Sequence, residues 1–518
     1  MKILSQIFER FLESSGRRVF LASLLIALTF VCVPPAQAGG VVSTCDETHL
    51  RSALAGGGIV TFTCGGTITL TATLTPTSDT TISGTGQNVT ISGNHSVEVF
   101  SVPSGVKLTL NKLAIANGNS CNGCLSGGIS NGGTLTVTNC LFSGNNGGDG
   151  GAIFNGNGLQ LVVSNSTFSG NTTPNDGGAI LNEGYLTITN STFSGNSSSH
   201  SGGAITNGGP NMLVVNSTFS ANSAAFGGGI FADTATAVTN STFSGNSASG
   251  IYNGYKGGGI SVLGGATVTV TNTIIANSTQ GANCWVGNGT LIDGGRNLSF
   301  PDASCPGNNQ DPKLDPSGLQ NNGGPTQTVA LLAGSPAIDF VIDFTCPTTD
   351  QRGVLRPQGA RCDTGAYEYA TANSLKTTVL NQMNAFLLTL NPPDAATLED
   401  VIVPLANSLD PNLWLGPDGN HLNASVGERV FEDEEKTVGS LSQLIVDQTQ
   451  LLYISNLALA DRTLATVAIA DAAGGNQNKL AKATAELTNG DASATAAEYS
   501  KAIEHYENAW TLALQAKP

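Results

Sequence analysis

Short alternating runs of apolar and polar residues recur through the middle of the chain, and turns rich in glycine and asparagine separate them. The heptapeptide Asn165-Ser-Thr-Phe-Ser-Gly-Asn171 is one of several similar copies. The copies and their looser relatives begin at Asn111, Asn139, Asn165, Asn190, Asn216, Asn240 and Asn272. Each unit adds an isoleucine strand, such as Gly150-Gly-Ala-Ile153, and an alternating strand, such as Leu186-Thr-Ile188. The pattern predicts three short strands per unit.

Such units must stack on one another, because three short strands bury too few apolar side chains to be stable alone. Equivalent residues of neighbouring coils then superpose about 4.8 Å apart. We predict a right-handed parallel β-helix, since parallel crossovers almost always take that hand. An internal aromatic ladder is expected from Phe142, Phe168, Phe193, Phe219 and Phe243. An aliphatic ladder is expected from Ile153, Ile180, Ile205, Ile230 and Ile260.

An amide ladder is also predicted, at a turn where asparagine tolerates left-handed backbone angles and can bond to the coils above and below. Its members are Asn145, Asn171, Asn196, Asn222 and Asn246. Other repeat folds fit less well. The unit is too short for a propeller blade, and it lacks the Leu-x-x-Leu-x-Leu frame of leucine-rich repeats.

The pattern changes at both ends of the repeats. Residues 45–54 predict a short helix that caps the first coil and covers its strand edges. After residue 371 the period becomes helical, with one helix expected over 441–469 and an amphipathic one from Tyr499 to Ala513. Five prolines are expected to break up the region before them: Pro392, Pro393, Pro404, Pro411 and Pro417. We interpret the acidic run 432–435 as a solvated face. The predicted fold is mainly β, with a C-terminal α-helical domain.

The N-terminus has the features of an export signal. Basic residues precede an apolar run over 19–33, and Ala36-Gln37-Ala38 is typical of a cleavage site. Arg17-Arg18-Val19-Phe20-Leu21 also fits the twin-arginine pattern, so both the general and the twin-arginine routes stay open. The predicted domains are an export signal (1–38), a capped β-helix (39–330), a closing segment (331–370) and the helical domain (371–518). No later segment is apolar over enough residues to span a bilayer.

Charge and cysteine usage narrow the function. The net charge of −16 disfavours nucleic acid and anionic membranes as partners. Nine of the ten cysteines follow the predicted cleavage site, where an oxidising compartment favours pairing. The expected local disulfides are Cys45–Cys64, Cys284–Cys305 and Cys346–Cys362. Cys121, Cys124 and Cys140 form an odd cluster, for which a disulfide is favoured over zinc because no second ligand pair accompanies it.

Residues 41–370 resemble bacterial β-helix surface proteins of the choice-of-anchor Q type, and the repeats are similar to those of chlamydial polymorphic outer-membrane proteins. The most specific motifs lie just before and within the closing segment, and they are Asn322-Gly-Gly-Pro-Thr-Gln-Thr328, Gly334-Ser-Pro-Ala-Ile-Asp339 and Asp363-Thr-Gly-Ala-Tyr-Glu368. The resemblance implies an exported, surface-associated protein with a variable C-terminal attachment. It implies no reaction and no catalytic residues.

Acids and bases are scarce on the repeats, but Asp149, Asp176 and His200 occupy equivalent places before a Gly-Gly or Ser-Gly pair. The two carboxylates could bind calcium or share a proton in catalysis, and no other cofactor is predicted. The alternative is that aspartate is simply a good turn residue before glycine. A second charged group is expected to form a structural network that seals the solenoid: Asp339, Asp343, Asp350, Arg352, Arg356, Asp363 and Glu368.

Three functions stay open. The favoured one is an exported, non-catalytic surface or extracellular protein that binds carbohydrate or other envelope components in adhesion. Aromatic residues outside the ladder could stack on sugars or could equally be ordinary surface or cap residues, namely Tyr185, Phe226, Tyr252, Tyr255 and Trp285. The alternatives are a pectate-lyase-like polysaccharide lyase or glycoside hydrolase, and a structural envelope spacer.

Overall fold

The computed structural model describes residues 39–119, 125–250, 256–342, 346–390, 392–443 and 448–517. The export signal predicted over 1–38 lies outside these residues. The chain winds into a parallel β-helix in which sheets A, B and C, containing 11, 10 and 8 strands, run along the axis. A short fourth sheet, D, lies between sheets B and C in each of four coils. The predicted mainly β solenoid with a C-terminal helical domain is confirmed.

The strands pair with their counterparts one coil away. Sheet A comprises Gly40–Val42, Gly58–Phe62, Thr80–Ser83, Lys107–Asn111, Thr134–Thr138, Gln160–Ser164, Tyr185–Thr189, Asn211–Val215, Thr236–Thr239, Thr267–Thr271 and Thr290–Asp293. Sheet B comprises Gly66–Thr69, Val89–Ser92, Ala114–Ala116, Leu141–Ser143, Thr167–Ser169, Thr192–Ser194, Thr218–Ser220, Thr242–Ser244, Ile274–Ala276 and Leu298–Phe300. Sheet C comprises Phe100–Val102, Ile129–Asn131, Ile153–Asn155, Ile180–Asn182, Ile205–Asn207, Ile230–Ala232, Gly257–Val262 and Ala282–Val286. Sheet D comprises Thr172–Thr173, Ser197–Ser198, Ser223–Ala224 and Ser247–Ala248.

The apolar ladders form as predicted. The five phenylalanine rings of sheet B are buried and stack in parallel, with centroids 4.7, 4.8, 4.9 and 4.5 Å apart. Ile115 and Ile275 continue the column at its two ends. The isoleucines of sheet C pair in register from Ile153 to Ile260. These ladders fill the interior of the solenoid, so each coil is stabilised by its neighbours.

The asparagine ladder is also confirmed, but its backbone geometry differs from the prediction. Asn171 Oδ1 accepts from Asn145 Nδ2 at 2.9 Å and from the Asn145 amide at 3.1 Å, and the pattern continues to Asn246. The copies from Asn139 onward each begin with a left-handed asparagine, such as Asn165 and Asn190, with φ of 49° and 51°. The prediction of left-handed angles for the ladder residues was therefore wrong, because the residue before each of them, such as Gly144 or Gly170, takes the left-handed conformation at that turn.

A second amide ladder, which the sequence analysis did not identify, ends the strands of sheet C. Asn131, Asn155 and Asn182 each donate from Nδ2 to Oδ1 of the asparagine one coil further on, at 2.7 Å, and the series ends at Asn207. All four side chains are buried. The recurring Ile-x-Asn triplets at 129–131, 153–155, 180–182 and 205–207 are the signal that could have revealed it.

The N-terminal cap and the disulfides agree with the predictions. Helix α1, Glu47–Leu54, begins after Asp46, whose side chain accepts from the His49 amide at 2.9 Å. Leu50 and Leu54 point into the end of the core. The structure contains the disulfides Cys45–Cys64, Cys284–Cys305 and Cys346–Cys362. Cys140 is a buried free thiol, and Cys121 and Cys124 lie outside the described residues.

The helical domain contains six α-helices in its described residues. They are α2 (Ala372–Leu387), α3 (Pro392–Ser408), α4 (Glu428–Gln443), α5 (Gln448–Asp471), α6 (Gln477–Thr495) and α7 (Tyr499–Leu514). A 3-10 turn, Pro411–Leu413, and two antiparallel pairs, Leu314–Gln320 with Thr328–Leu331 and Trp414–Leu415 with His421–Leu422, complete the structure.

Two details of the helical prediction have a clear outcome. The apolar face of α7 is confirmed, since Ile503, Tyr506 and Trp510 are buried. Pro404 does not end a helix but lies inside α3. Packing of Val401 and Leu405 into the domain core outweighs the backbone hydrogen bond that proline cannot donate. The helix expected over 441–469 covers the end of α4 and almost all of α5, and residues 444–447 between them are not described.

Candidate functional site

Asp149, Asp176 and His200 lie on three successive coils at the corner that leads into sheet C. The Gly150 amide donates to the Asp176 carbonyl at 2.9 Å, which fixes the first two coils in register. The Asp176 carboxylate is directed to the third coil, where its Oδ1 lies 2.7 Å from His200 Nδ1 and accepts from the Ser201 amide at 3.0 Å. The structure therefore brings Asp176 and His200 together, whereas within the described residues no hydrogen bond or ion pair joins the Asp149 carboxylate to either.

The Asp176–His200 pair has limited chemical capability. The His200 side chain is 61% exposed, and a carboxylate at Nδ1 orients an imidazole for proton transfer at Nε2. Ser201 Oγ, however, lies 3.1 Å from the same Nδ1, so it is not placed as a nucleophile that the free ring nitrogen could activate. In the part of the chain that the structure describes, no three His, Cys, Asp or Glu side chains group as metal ligands.

A further acid extends the negative charge on this side of the solenoid. Asp233 follows the sheet C strand Ile230–Ala232, and its pKa is raised, first by burial and then by the charge of Asp176. Gly264 lies beside Asp233 in the next coil. The sequence pattern does not reveal that Asp233 lies close enough to Asp176 to feel its charge. The three acids Asp149, Asp176 and Asp233 are thus spread along several coils.

The outer face of sheet A offers a different kind of surface. Alternate residues point away from the core, and two adjacent outward columns have no charged member over eight coils. The first contains Thr81, Thr109, Thr136, Val162, Thr187, Leu213, Ala237 and Thr269. The second contains Ser83, Asn111, Thr138, Ser164, Thr189, Val215, Thr239 and Thr271. These side chains are at least partly exposed.

The closing segment covers the later half of sheet B. Gln351 donates to Thr192 Oγ1 at 2.8 Å and accepts from Thr218 Oγ1 at 2.7 Å, and the Ala366 amide donates to Thr242 Oγ1 at 3.0 Å. These three threonines are buried, whereas Leu141, two coils before Thr192 in the same column, is 39% exposed. The segment was expected to seal the solenoid, but these contacts place it along a lateral face.

The charged residues of the closing segment form the predicted structural network. Arg352 pairs with Asp350 at 2.8 Å and lies 3.6 Å from the centre of the Tyr367 ring. Arg356 pairs with Glu368 at 3.2 Å and also donates to the carbonyls of Asp363 and Gly365. Burial, then the charge of Glu368, raises the pKa of Asp363 to about 8. Asp339 also belongs to the network, because its amide donates to Asp363 Oδ1 at 2.8 Å, and Asp343 is not among the described residues.

The helical domain is joined to the closing segment through α5. Asn456 accepts from the Leu355 amide at 3.1 Å and donates to the Gly353 carbonyl at 2.9 Å. Arg462 donates to the Asn321 carbonyl at 2.9 Å. The helical domain is therefore in direct contact with the closing segment through Asn456, and with the chain just before that segment through Arg462.

Inside the helical domain, Lys376, Glu434 and Asp461 form a fully buried charge cluster. Lys376 Nζ lies 2.8 Å from Asp461 Oδ1 and also contacts Glu434 Oε1. Burial, then the charge of Asp461, raises the pKa of Glu434 well above its ordinary value. The interpretation of residues 432–435 as a solvated face was wrong at Glu434, because a lysine 58 residues away supplies its partner.

The aromatic candidates are dispersed. Tyr185 is 51% exposed on sheet A, and Phe226 makes an edge-on contact with His200. Trp285 lies on sheet C in the outward column of Phe231 and Ser261. It lines a shallow cleft of about 510 Å³. Tyr252 and Tyr255 fall outside the described residues.

Comparison with known proteins agrees with this architecture. Residues 131–258 match the family model described as a right handed beta helix region. That match spans the copies of the heptapeptide that begin at Asn139, Asn165, Asn190, Asn216 and Asn240. No curated protein matches the chain. Among the described helices, none is both long and apolar enough to cross a membrane. The chain is a right-handed parallel β-helix repeat protein with a C-terminal helical domain.

Proposed function

We propose that the protein is exported and binds an extended glycan, or another polymer of the cell envelope, along a lateral face of its β-helix without cleaving it. The observation that carries the proposal is the pair of uncharged columns on sheet A. Strands about 4.8 Å apart present hydroxyl groups at regular intervals. Thr138 and Ser164, one coil apart, lie 3.0 Å from each other through their hydroxyl oxygens. A repetitive polymer can make the same weak contact on many coils, so that the contacts add.

Export is supported by the three disulfides, which are typical of proteins that fold in an oxidising compartment. The signal predicted over 1–38 and the resemblance to choice-of-anchor Q proteins point the same way. In this proposal the helical domain, held by Asn456 and Arg462, keeps a set orientation to the β-helix. Adhesion at the cell surface is the role that best fits these features.

A second candidate, a polysaccharide lyase or hydrolase, rests on the Asp176–His200 pair. Such enzymes usually need two cooperating carboxylates, or a base beside bound calcium. The pair supplies one carboxylate and one imidazole, and Asp149 stands on the neighbouring coil. The scarcity of other acids and bases on the coils favours binding without catalysis.

Incubation of the purified protein with a polysaccharide panel tests both candidates. Binding is measured by co-sedimentation, and cleavage by new reducing ends and unsaturated products. Thr136→Lys with Thr187→Lys places charge and bulk in the sheet A column and is expected to weaken binding at least tenfold. Thr67→Lys, on the exposed start of sheet B, is the matched control and should bind normally. Cleavage that Asp176→Ala and His200→Ala abolish would contradict the proposal, and so would normal binding by the sheet A variant.

A further inference from the structure

We infer that the last coils of sheet C carry a subsite for a neutral hexopyranosyl residue, built from Trp285 and the turn over residues 286–290. The inference deepens the proposed glycan binding and rests on it. It assigns the sugar class and a place on the molecule that is separate from the Asp176–His200 corner and from the sheet A columns.

Two shallow clefts lie on either side of this turn. The first, of about 510 Å³, is lined by Leu263, Gly264, Trp285, Gly287 and Asn288. The second, of about 440 Å³, is lined by residues that include Val286, Thr290 and Ser304. Because residues 286–290 contribute to both, an extended ligand that crosses the turn contacts both clefts. This arrangement suits a chain of several sugar units better than a compact small molecule.

The Trp285 ring forms the aromatic wall of the first cleft. A Cβ atom on Gly287 would lie 2.4 Å from Trp285 Cη2 and 2.8 Å from Leu263 Cδ1, so only glycine allows the ring to pack this closely on the turn. The ring is thereby supported by the turn and by an aliphatic side chain, while it still lines the cleft. An indole face of this kind complements the C–H face of a pyranose, and the Asn288 amide supplies a donor and an acceptor for hydroxyl groups.

The strand that carries Trp285 is fixed from its other side. Cys284, the preceding residue, forms the disulfide with Cys305, and its amide donates to Ser304 Oγ at 2.9 Å. The Asn283 amide donates to Asp302 Oδ2 at 3.0 Å. A wall held in this way needs little ordering when a ligand binds, and such preorganisation favours affinity.

The charge around the clefts selects the ligand. Neither lining contains a charged side chain. The neighbouring charged groups are carboxylates, with Asp233 beside Gly264 and Asp302 bonded to Ser304. The sequence has no lysine or arginine between Lys256 and Arg296, or from there to Lys313. Uronic acids and sulfated sugars would therefore meet like charge, which a neutral hexose does not.

Titration of the full chain with short oligosaccharides tests the subsite. Neutral glucose- and mannose-based tetrasaccharides are compared with tetragalacturonate by calorimetry. We expect a neutral tetrasaccharide to bind and the acidic one to bind at least tenfold more weakly. Trp285→Ala should weaken neutral binding about tenfold, as loss of one aromatic contact predicts. Trp285→Phe keeps a ring and should retain most of the affinity, and Phe386→Ala, an exposed aromatic of the helical domain, is the matched control.

The outcomes separate this inference from the proposed function. Equal binding by Trp285→Ala and the unaltered protein would overturn the subsite, and so would preference for tetragalacturonate. If polysaccharide binding persists in Trp285→Ala but is lost in the Thr136→Lys, Thr187→Lys variant, the lateral-face proposal stands and the subsite falls. Failure of the unaltered protein to bind any glycan overturns both. The Trp285→Phe variant controls for loss of folding, because its thermal denaturation is expected to match that of the unaltered protein.

Discussion

Substitution of one member of the buried asparagine ladder tests how the coils are held together. Asn196 Oδ1 accepts from the Asn171 amide at 3.0 Å and from Asn171 Nδ2 at 2.9 Å. Its Nδ2 donates to the Phe168 carbonyl at 3.0 Å and to Asn222 Oδ1 at 2.9 Å. Asn196→Ala removes four bonds in a site without solvent. At about 1 kcal/mol each, the loss is about 4 kcal/mol, and the groups left unpaired can raise it further.

Hydrogen–deuterium exchange is the suitable assay, because it reports the free energy of local opening coil by coil. We expect faster exchange of the strand amides in Thr167–Ser169, Thr192–Ser194 and Thr218–Ser220. Asn190→Gly is the matched control, since Asn190 has a left-handed φ of 51° that glycine adopts readily. A loss below about 1 kcal/mol for Asn196→Ala, or an equal loss for the control, would refute the view that the ladder stabilises the stack.

Two further predictions concern buried charges. The pKa of Asp363 is about 8 in the folded protein and 3.8 ordinarily, so folding is coupled to proton uptake by this carboxyl, and the stability that it contributes falls as pH rises between these values. Thermal melts should show that stability falls less steeply with pH in Asp363→Asn than in the unaltered protein. An unchanged pH dependence in that variant would contradict the assignment. Lys376→Met leaves Glu434 and Asp461 buried without a cation and should lower the free energy of unfolding of the helical domain by about 3–5 kcal/mol, measured in urea. Lys436→Met, at an exposed position, should change that free energy little. Similar losses in the two variants would contradict the role of the buried cluster.

The sequence was sufficient to predict the ladders because each coil repeats the same residue at the same place. Phe193 lies between Phe168 and Phe219 only if the coils are stacked in register, and the nearly constant repeat length requires that register. The left-handed positions were assigned to the wrong asparagines because both ends of each heptapeptide carry the same residue type. Composition cannot distinguish the corner Asn165 from the buried Asn171, whose difference is one of backbone conformation.

The position of the closing segment could not be predicted in the same way. Gln351 contacts Thr192 and Thr218 across 159 and 133 residues, and nothing marks these threonines apart from those of other coils. Burial of Glu434 likewise depends on a distant lysine. The Trp285 cleft depends on the close approach of Gly287, which is visible only in three dimensions. Local repetition thus determines the stack and its sheet A face, whereas the contacts of the closing segment and the Trp285 cleft arise where the repetition ends.

Equilibrium binding of a polysaccharide to the sheet A face tests the central claim most directly. The measurement compares the unaltered protein, the Thr136→Lys, Thr187→Lys variant and the Thr67→Lys control against the glycan that binds best in the panel. We predict at least tenfold weaker binding by the sheet A variant, normal binding by the control, and no new reducing ends in any sample. Equal affinity for all three proteins, or release of oligosaccharides by the unaltered protein, would contradict the account.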